Sequence, residues 1–268
     1  MKRRIDATVT VNGTPMEYVA FGKGERILVA LPGLSDGLTT VGGKSFMLSQ
    51  YYRQFAKHFR VYVFSRRRNL PDRYTTREMA ADQAAAMNTL GLKDVFVIGV
   101  SQGGMVAQFL AIDHPELITR LVLAVSTPEA SETLKTVAAE WMSIAREGNY
   151  RNLMIDMMKK TYTEAYLKKI QRYYPIITRF GKPKSFDRFL IQAQACIDHN
   201  AAAELARVRV PTLCIGGADD NIIGPGQPEA LGANIAGAEI KTYPGLGHGA
   251  FGETKAFNTQ MLEFLLRG

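Results

Sequence analysis

The chain has 268 residues, 46% of them hydrophobic and 22% charged, enough apolar material for one large α/β domain and too much for a disordered or fibrous protein. Its two cysteines, Cys196 and Cys214, have no CxxC spacing, so they read as ordinary buried thiols in a reducing compartment. Of the cations behind the net charge of +8, Arg66, Arg67 and Arg68 are the one run of three beyond the first four residues, without an aromatic-interleaved basic stretch, which sets nucleic acid aside as a partner.

Met1-Lys2-Arg3-Arg4 is a basic start, but no apolar stretch of signal-peptide type follows it. The longest apolar runs, such as Val95 to Val100, are too short to span a bilayer. A soluble cytoplasmic protein with no membrane partner is expected. Ile5 to Val11 alternates as a strand, Asn12-Gly13 signals a hairpin turn, and Met16 to Phe21 is the returning strand. Arg26 to Leu31, Arg60 to Phe64, Val95 to Val100 and Leu121 to Val125 are short and almost wholly apolar, as strands covered on both faces are. Helical patterns over Ser45 to Phe59, Thr76 to Leu90 and Gln102 to His114 lie between them, so right-handed βαβ crossovers and a parallel sheet are expected. The alternation stops at Pro128 and resumes near residue 208. Strands are then expected at Thr212 to Ile215 and Glu239 to Tyr243, and helices at Gln227 to Ile235 and Lys255 to Leu266. The reading is a core domain of residues 1–127 and 208–268, interrupted by a helical lid of residues 128–207 broken near Gly148, Pro175 and Gly181-Lys182-Pro183.

Gly99-Val100-Ser101-Gln102-Gly103 joins the strand ending at Val100 directly to a helix. This is the setting of a nucleophile elbow: the sharp turn has no room for side chains at the two glycines and lifts the Ser101 hydroxyl clear. A serine hydroxyl needs a base, and the chain holds four histidines. His58 lies just before a strand, at the far end of the sheet. His114, followed by Pro115, suits a helix cap, and His199 beside Asp198 reads as a surface residue. His248, in Gly245-Leu246-Gly247-His248-Gly249, follows the last strand and shares the C-terminal sheet edge with Ser101, so it is the expected base. The orienting carboxylate comes from Asp219 or Asp220 after the strand at Thr212. Spacing from Gly217 favours Asp220, leaving Asp219 to turn hydrogen bonding.

With Ser101, Asp220 and His248 in that order, the chain resembles the α/β-hydrolase superfamily, in particular lidded serine hydrolases such as carboxylesterases, enol-lactonases and haloperoxidase-like enzymes. The resemblance implies a mostly parallel eight-stranded sheet with helices on both faces and an inserted helical lid. It also implies an acid in a GxxD pattern, matched by Gly217 and Asp220, and a base in GxGH, matched by Gly245 to His248. The oxyanion donors it implies are the backbone N–H groups of Gln102 and of Leu34, although Pro32-Gly33 replaces the usual His-Gly. A second departure is Ser65-Arg66-Arg67-Arg68 in place of Asp-x-Arg-Gly. Arg67 matches the structural arginine, while Arg66 and Arg68 read as a solvated turn rather than a site for an acidic substrate.

Trp141 with Met142, Met154, Met157 and Met158 would suit an adaptable apolar acyl pocket, and equally a lid packing on itself. Met105 and Phe251 are pocket-wall candidates by position, and Tyr162, Tyr166, Tyr173 and Tyr174 could offer hydroxyls or simply pack. Taken together, the expected activity is hydrolysis of a small-molecule carboxylic ester, thioester or lactone through an acyl-enzyme, with no cofactor and no metal. Two alternatives stand beside it: hydrolysis of a carbon–carbon bond in a diketone-like substrate, and a non-catalytic ligand-binding member of the fold. The oligomeric state stays open, a homodimer being one option.

Overall fold

The computed structural model describes residues 4–178 and 181–267, so the basic Met1-Lys2-Arg3 lies outside the described residues. Strands β1 (Ile5–Val11) and β2 (Thr14–Phe21) form a hairpin whose turn places Asn12 at φ +48° and Gly13 at φ +71°. Both angles suit the primed turns that match strand twist. β3 (Arg26–Leu31), β4 (Phe59–Arg67), β5 (Val95–Val100), β6 (Ile118–Ala124), β7 (Thr212–Gly217) and β8 (Glu239–Tyr243) complete an eight-stranded sheet of order β1-β2-β4-β3-β5-β6-β7-β8. The β1–β2 and β2–β4 pairs are antiparallel and all others parallel.

Helices α1 (Ser45–Tyr51), α2 (Thr76–Thr89) and α3 (Gln102–Asp113) connect the first strands. α2 starts at a capping box in which Thr75 and Glu78 satisfy each other's backbone amides. Met79, Val106 and Leu110 from α2 and α3 pack on one face of the sheet with Val29 and Val97. Tyr52 and Phe55 pack on the other face with Leu28 and Ile98. The continuous helix expected from Ser45 to Phe59 is therefore too long. The α-helix stops at Tyr51 because the chain must turn to bury Tyr52 and Phe55, and Phe59 already pairs with Arg26 as the first residue of β4.

Among the described residues between β6 and β7 lie five α-helices: α4 (Glu132–Arg146), α5 (Tyr150–Thr161), α6 (Glu164–Ile170), α7 (Tyr174–Ile177) and α8 (Asp187–Ile197). Ser131, Asn149 and Thr163 cap the starts of α4, α5 and α6 with side-chain oxygens. Val137, Leu153, Phe189 and Ala193 of this segment share one apolar cluster with Leu34, Leu38 and Ile222 from outside it. The Trp141 indole donates to Asp156 at 2.7 Å and ties α4 to α5. α9 (Gln227–Asn234), the short α10 (Ala250–Glu253) and α11 (Lys255–Leu266) complete the chain, with Phe257 and Met261 in the second face's core. Among the described residues no helix is long and apolar enough to cross a membrane.

His199, expected at the surface, is buried at 3% exposure. Its carbonyl accepts from the Ala130 amide at 2.9 Å, which ties the end of α8 to the start of the inserted segment. The ring lies edge-on to Phe109, with Nδ1 2.9 Å from the Thr76 hydroxyl. Burial pushes its pKa down to about 4. The unfolded chain, with a histidine pKa of roughly 6.5, then binds the proton more readily than the folded one. Stability from this residue is complete above pH 6.5 and is lost as pH falls towards 4, up to about 3 kcal/mol. Chemical denaturation between pH 7 and 4 should show a shallower acid loss for His199→Gln than for wild type; parallel curves would contradict this.

Candidate active site

β5 is held between β3 and β6, and at its end the chain reverses into α3 through Ser101 at φ +55°, ψ −120°. A serine in this region carries roughly 1–3 kcal/mol of strain. The surroundings hold it there: the Ser101 amide donates to Ala124 O at 2.9 Å, and Ser101 O accepts from Gly104 N at 2.8 Å and the Ser126 hydroxyl at 3.0 Å. A Cβ on Gly103 would stand 2.0 Å from Leu31 O, so only glycine lets α3 approach β3 this closely.

The loop after β8 carries His248 to the same edge, with Nε2 2.9 Å from Ser101 Oγ and Nδ1 2.7 Å from Asp220 Oδ2. Asp220 Oδ1 accepts from the amides of Ile222 at 2.8 Å and Ile223 at 3.0 Å, which fixes the carboxylate's direction. Gly217 permits the approach of the two loops, since a Cβ there would lie 2.1 Å from Leu246 O. His248 and Asp220 are buried, whereas Asp219 is exposed and uses its amide to bond Leu246 O at 3.0 Å. With a carboxylate on Nδ1, the imidazole carries its proton there and presents Nε2 as acceptor to the serine hydroxyl.

Leu34 opens a short 3-10 turn, Leu34–Gly37, and Gln102 opens α3, so neither amide has an acceptor within its own helix. The Pro32-Gly33-Leu34 loop runs beside the serine: a Cβ on Gly33 would lie 3.7 Å from Ser101 Oγ. Ser101 and His248 open onto a cavity of about 260 Å³. Leu34, Met105, Trp141, Met158 and Phe251 line it, with Met154, Met157, Tyr162, Cys196 and Ile222. Met142 does not: one position along α4 from Trp141, it turns into the apolar core of the helical segment. No Lys, Arg, Asp or Glu lines the cavity among the described residues. Burial raises the Tyr162 phenol above its ordinary value and pushes the Cys196 thiol up to about 12, so neither brings charge to the cavity.

Arg66 corrects the expectation of a solvated turn, because it is fully buried. It stands near the end of β4, where the β2–β4 register shifts between Phe64 and Arg67, so simple alternation along the strand did not place it. Arg68 is exposed and pairs with Glu17 at 2.7 Å, and Arg67 pairs with Asp82 at 3.0 Å. Sequence reasoning missed two further groups. One is Asp36, a buried carboxylate 2.6 Å from the Arg188 guanidinium. The other is the α5–α6 turn, where Thr161 O accepts from the Gly249 amide at 2.7 Å and the Tyr162 ring fills the space a side chain at 249 would need.

Residues 48–254 match the family model described as alpha/beta hydrolase fold. The chain is 29% identical over 205 residues to the 2-hydroxy-6-oxononadienedioate/2-hydroxy-6-oxononatrienedioate hydrolase of Pseudomonas sp, covering 72% of this chain and 71% of that protein. Among solved structures, the enol-lactonase from Burkholderia xenovorans LB400 superposes with a TM-score of 0.83 at 22% identity, covering 97% of this chain and 100% of that one. MGS-M2, an alpha/beta hydrolase enzyme from a Medee basin deep-sea metagenome library, gives a TM-score of 0.87 at 20% identity, with 98% of each chain covered. The family match over most of the chain, on the eight-stranded sheet described above, makes this protein a hydrolase of the alpha/beta hydrolase fold family.

Proposed function

We propose that the chain is a serine hydrolase that cleaves carboxylic esters, thioesters or lactones of uncharged, apolar acids. The observation that carries this reading is the unbroken line of hydrogen bonds from Asp220 through His248 to Ser101 at the wall of an apolar cavity. In this reading Ser101 Oγ attacks the carbonyl carbon as its proton passes to His248 Nε2. The resulting oxyanion takes hydrogen bonds from the amides of Leu34 and Gln102. His248 returns the proton to the leaving alcohol, thiol or ring oxygen, then activates water to release the acid. Residues 128–207 act as the lid, and Trp141 with Met154, Met157 and Met158 forms the acyl wall.

Carbon–carbon hydrolysis of the kind named for the Pseudomonas relative is the weaker reading. The dioates in that name carry two carboxylates, and among the described residues no Lys or Arg lines this cavity to hold one. Turnover of p-nitrophenyl esters from acetate to laurate, with lactones and acyl-CoA thioesters alongside, tests the assignment. kcat/KM should rise by up to about fourfold per CH₂ until the cavity is filled, since each buried methylene is worth about 0.8 kcal/mol. No turnover of any neutral ester, or a preference for acids bearing a second carboxylate, would contradict the reading.

Trp141 is both buried and part of the cavity wall. Trp141→Ala should therefore lose about 3–5 kcal/mol of stability and also lower kcat/KM more for laurate than for acetate. A melting curve and a chain-length profile on the same variant separate the two roles. A uniform loss across all esters would leave Trp141 a packing residue only.

A further inference from the structure

Arg66, the penultimate residue of β4, lies beside the two backbone segments that carry Leu34 and Gln102. A single nitrogen, Nη2, donates to Pro32 O at 2.8 Å and to Gln102 Oε1 at 3.1 Å. Pro32 stands two residues before Leu34, and Gln102 directly follows Ser101. The far side of the Gln102 amide is also anchored, its Nε2 donating to Gln192 O at 2.7 Å and Cys196 Sγ at 3.1 Å on α8. The counter-charge sits in the same 3-10 turn that Leu34 opens. There Asp36 Oδ2 accepts from the Arg66 amide at 3.1 Å, from Arg188 at 2.6 Å and from Gln192 at 3.2 Å. Burial alone would raise the Asp36 carboxyl, but the charges of Arg188 and Arg66 outweigh it and hold the group below its ordinary value.

This arrangement is a poor source of stability. Taking a guanidinium out of water costs several kcal/mol, which an apolar side chain of similar volume would avoid. Arg66 Nε and Nη1, moreover, have no hydrogen-bond partner among the described residues. What the cation does provide is a rigid link between the two halves of the site.

We propose that Arg66 is a positioning residue that sets the separation of the Leu34 and Gln102 amides. It does through Pro32 O and the Gln102 side chain what neither loop can do alone. The inference rests on the serine-hydrolase reading above. Donors aimed at a developing oxyanion act on the transition state rather than on the bound ester, so their misplacement appears in kcat and not in KM. Losing one such donor outright costs about a hundred- to a thousand-fold. Loosening both by a fraction of an ångström should cost less.

The test compares wild type, Arg66→Met and Arg66→Lys, with every rate expressed per Ser101 site titrated by a fluorophosphonate. Arg66→Met is expected to lower kcat about 10- to 100-fold with KM within about twofold. The inhibition constant of an alkyl trifluoromethyl ketone, whose carbonyl Ser101 converts to a bound oxyanion, should rise by the same factor. Arg66→Lys keeps the charge beside Asp36 and should restore part of kcat. It carries the comparison alone if the methionine variant does not fold, and a kcat and inhibitor constant at wild-type values would then overturn the proposal. So would a fall in melting temperature with kcat per site unchanged, or a rise in KM alone. Ester turnover that survives Ser101→Ala overturns the underlying reading instead, which separates the two failures.

Discussion

Replacing Ser101 by alanine is expected to lower kcat by about a million-fold, the usual loss for a nucleophilic serine of this kind. The fold should persist. Alanine keeps the Cβ, so the strained φ of +55° is unchanged, and the side-chain hydrogen bond removed among the described residues is the 2.9 Å bond to His248. The glycine approaches that force the turn, above all Gly103 against Leu31 O, are untouched. Turnover of a good chromogenic ester, with a thermal melt on the same preparation, checks both halves. Retention of a tenth of wild-type kcat would remove Ser101 from the mechanism.

Asp220→Asn should cost roughly ten thousand-fold, because an amide facing Nδ1 favours the tautomer that places the proton on Nε2, where it can no longer accept from serine. Asparagine can still accept from the Ile222 and Ile223 amides through Oδ1, so the loop should stay in place. Asp219→Asn is the matched control. That side chain is exposed, and its residue contributes a backbone amide to Leu246 O, which the substitution leaves alone. The expected order is therefore a severe loss at 220 and a slight one at 219, read as kcat for each variant. The reverse order would move the orienting acid to Asp219.

The strands around the site were legible because they are short apolar runs buried on both faces, and such runs have few other places to go. Ser101, Asp220 and His248 were legible for a related reason: each sits in a glycine-bearing loop just past one of those runs, so chain order alone brings them to one sheet edge. Long-range polar partners were not. Three adjacent arginines look like solvated charge, and nothing local to Arg66 announces that its amide will bond the buried Asp36, 30 residues earlier in the chain, or that its guanidinium will reach Pro32 O and Gln102 Oε1 in the interior. His199 failed in the same way, since its burial depends on Thr76 and Phe109 from distant helices. Met142 and Trp141 are adjacent in sequence, and only the rotation of α4 against the cavity decides which one faces it.

The measurement that bears most directly on the central claim is covalent labelling by a fluorophosphonate, followed by peptide mapping of the adduct. Displacement of fluoride by the serine oxygen requires the hydroxyl to be activated by His248 and the cavity to be open to an uncharged ligand. The account predicts one phosphonyl group per chain, on Ser101, absent from Ser101→Ala and strongly slowed in Asp220→Asn. No labelling, or labelling that persists in Ser101→Ala, would contradict it.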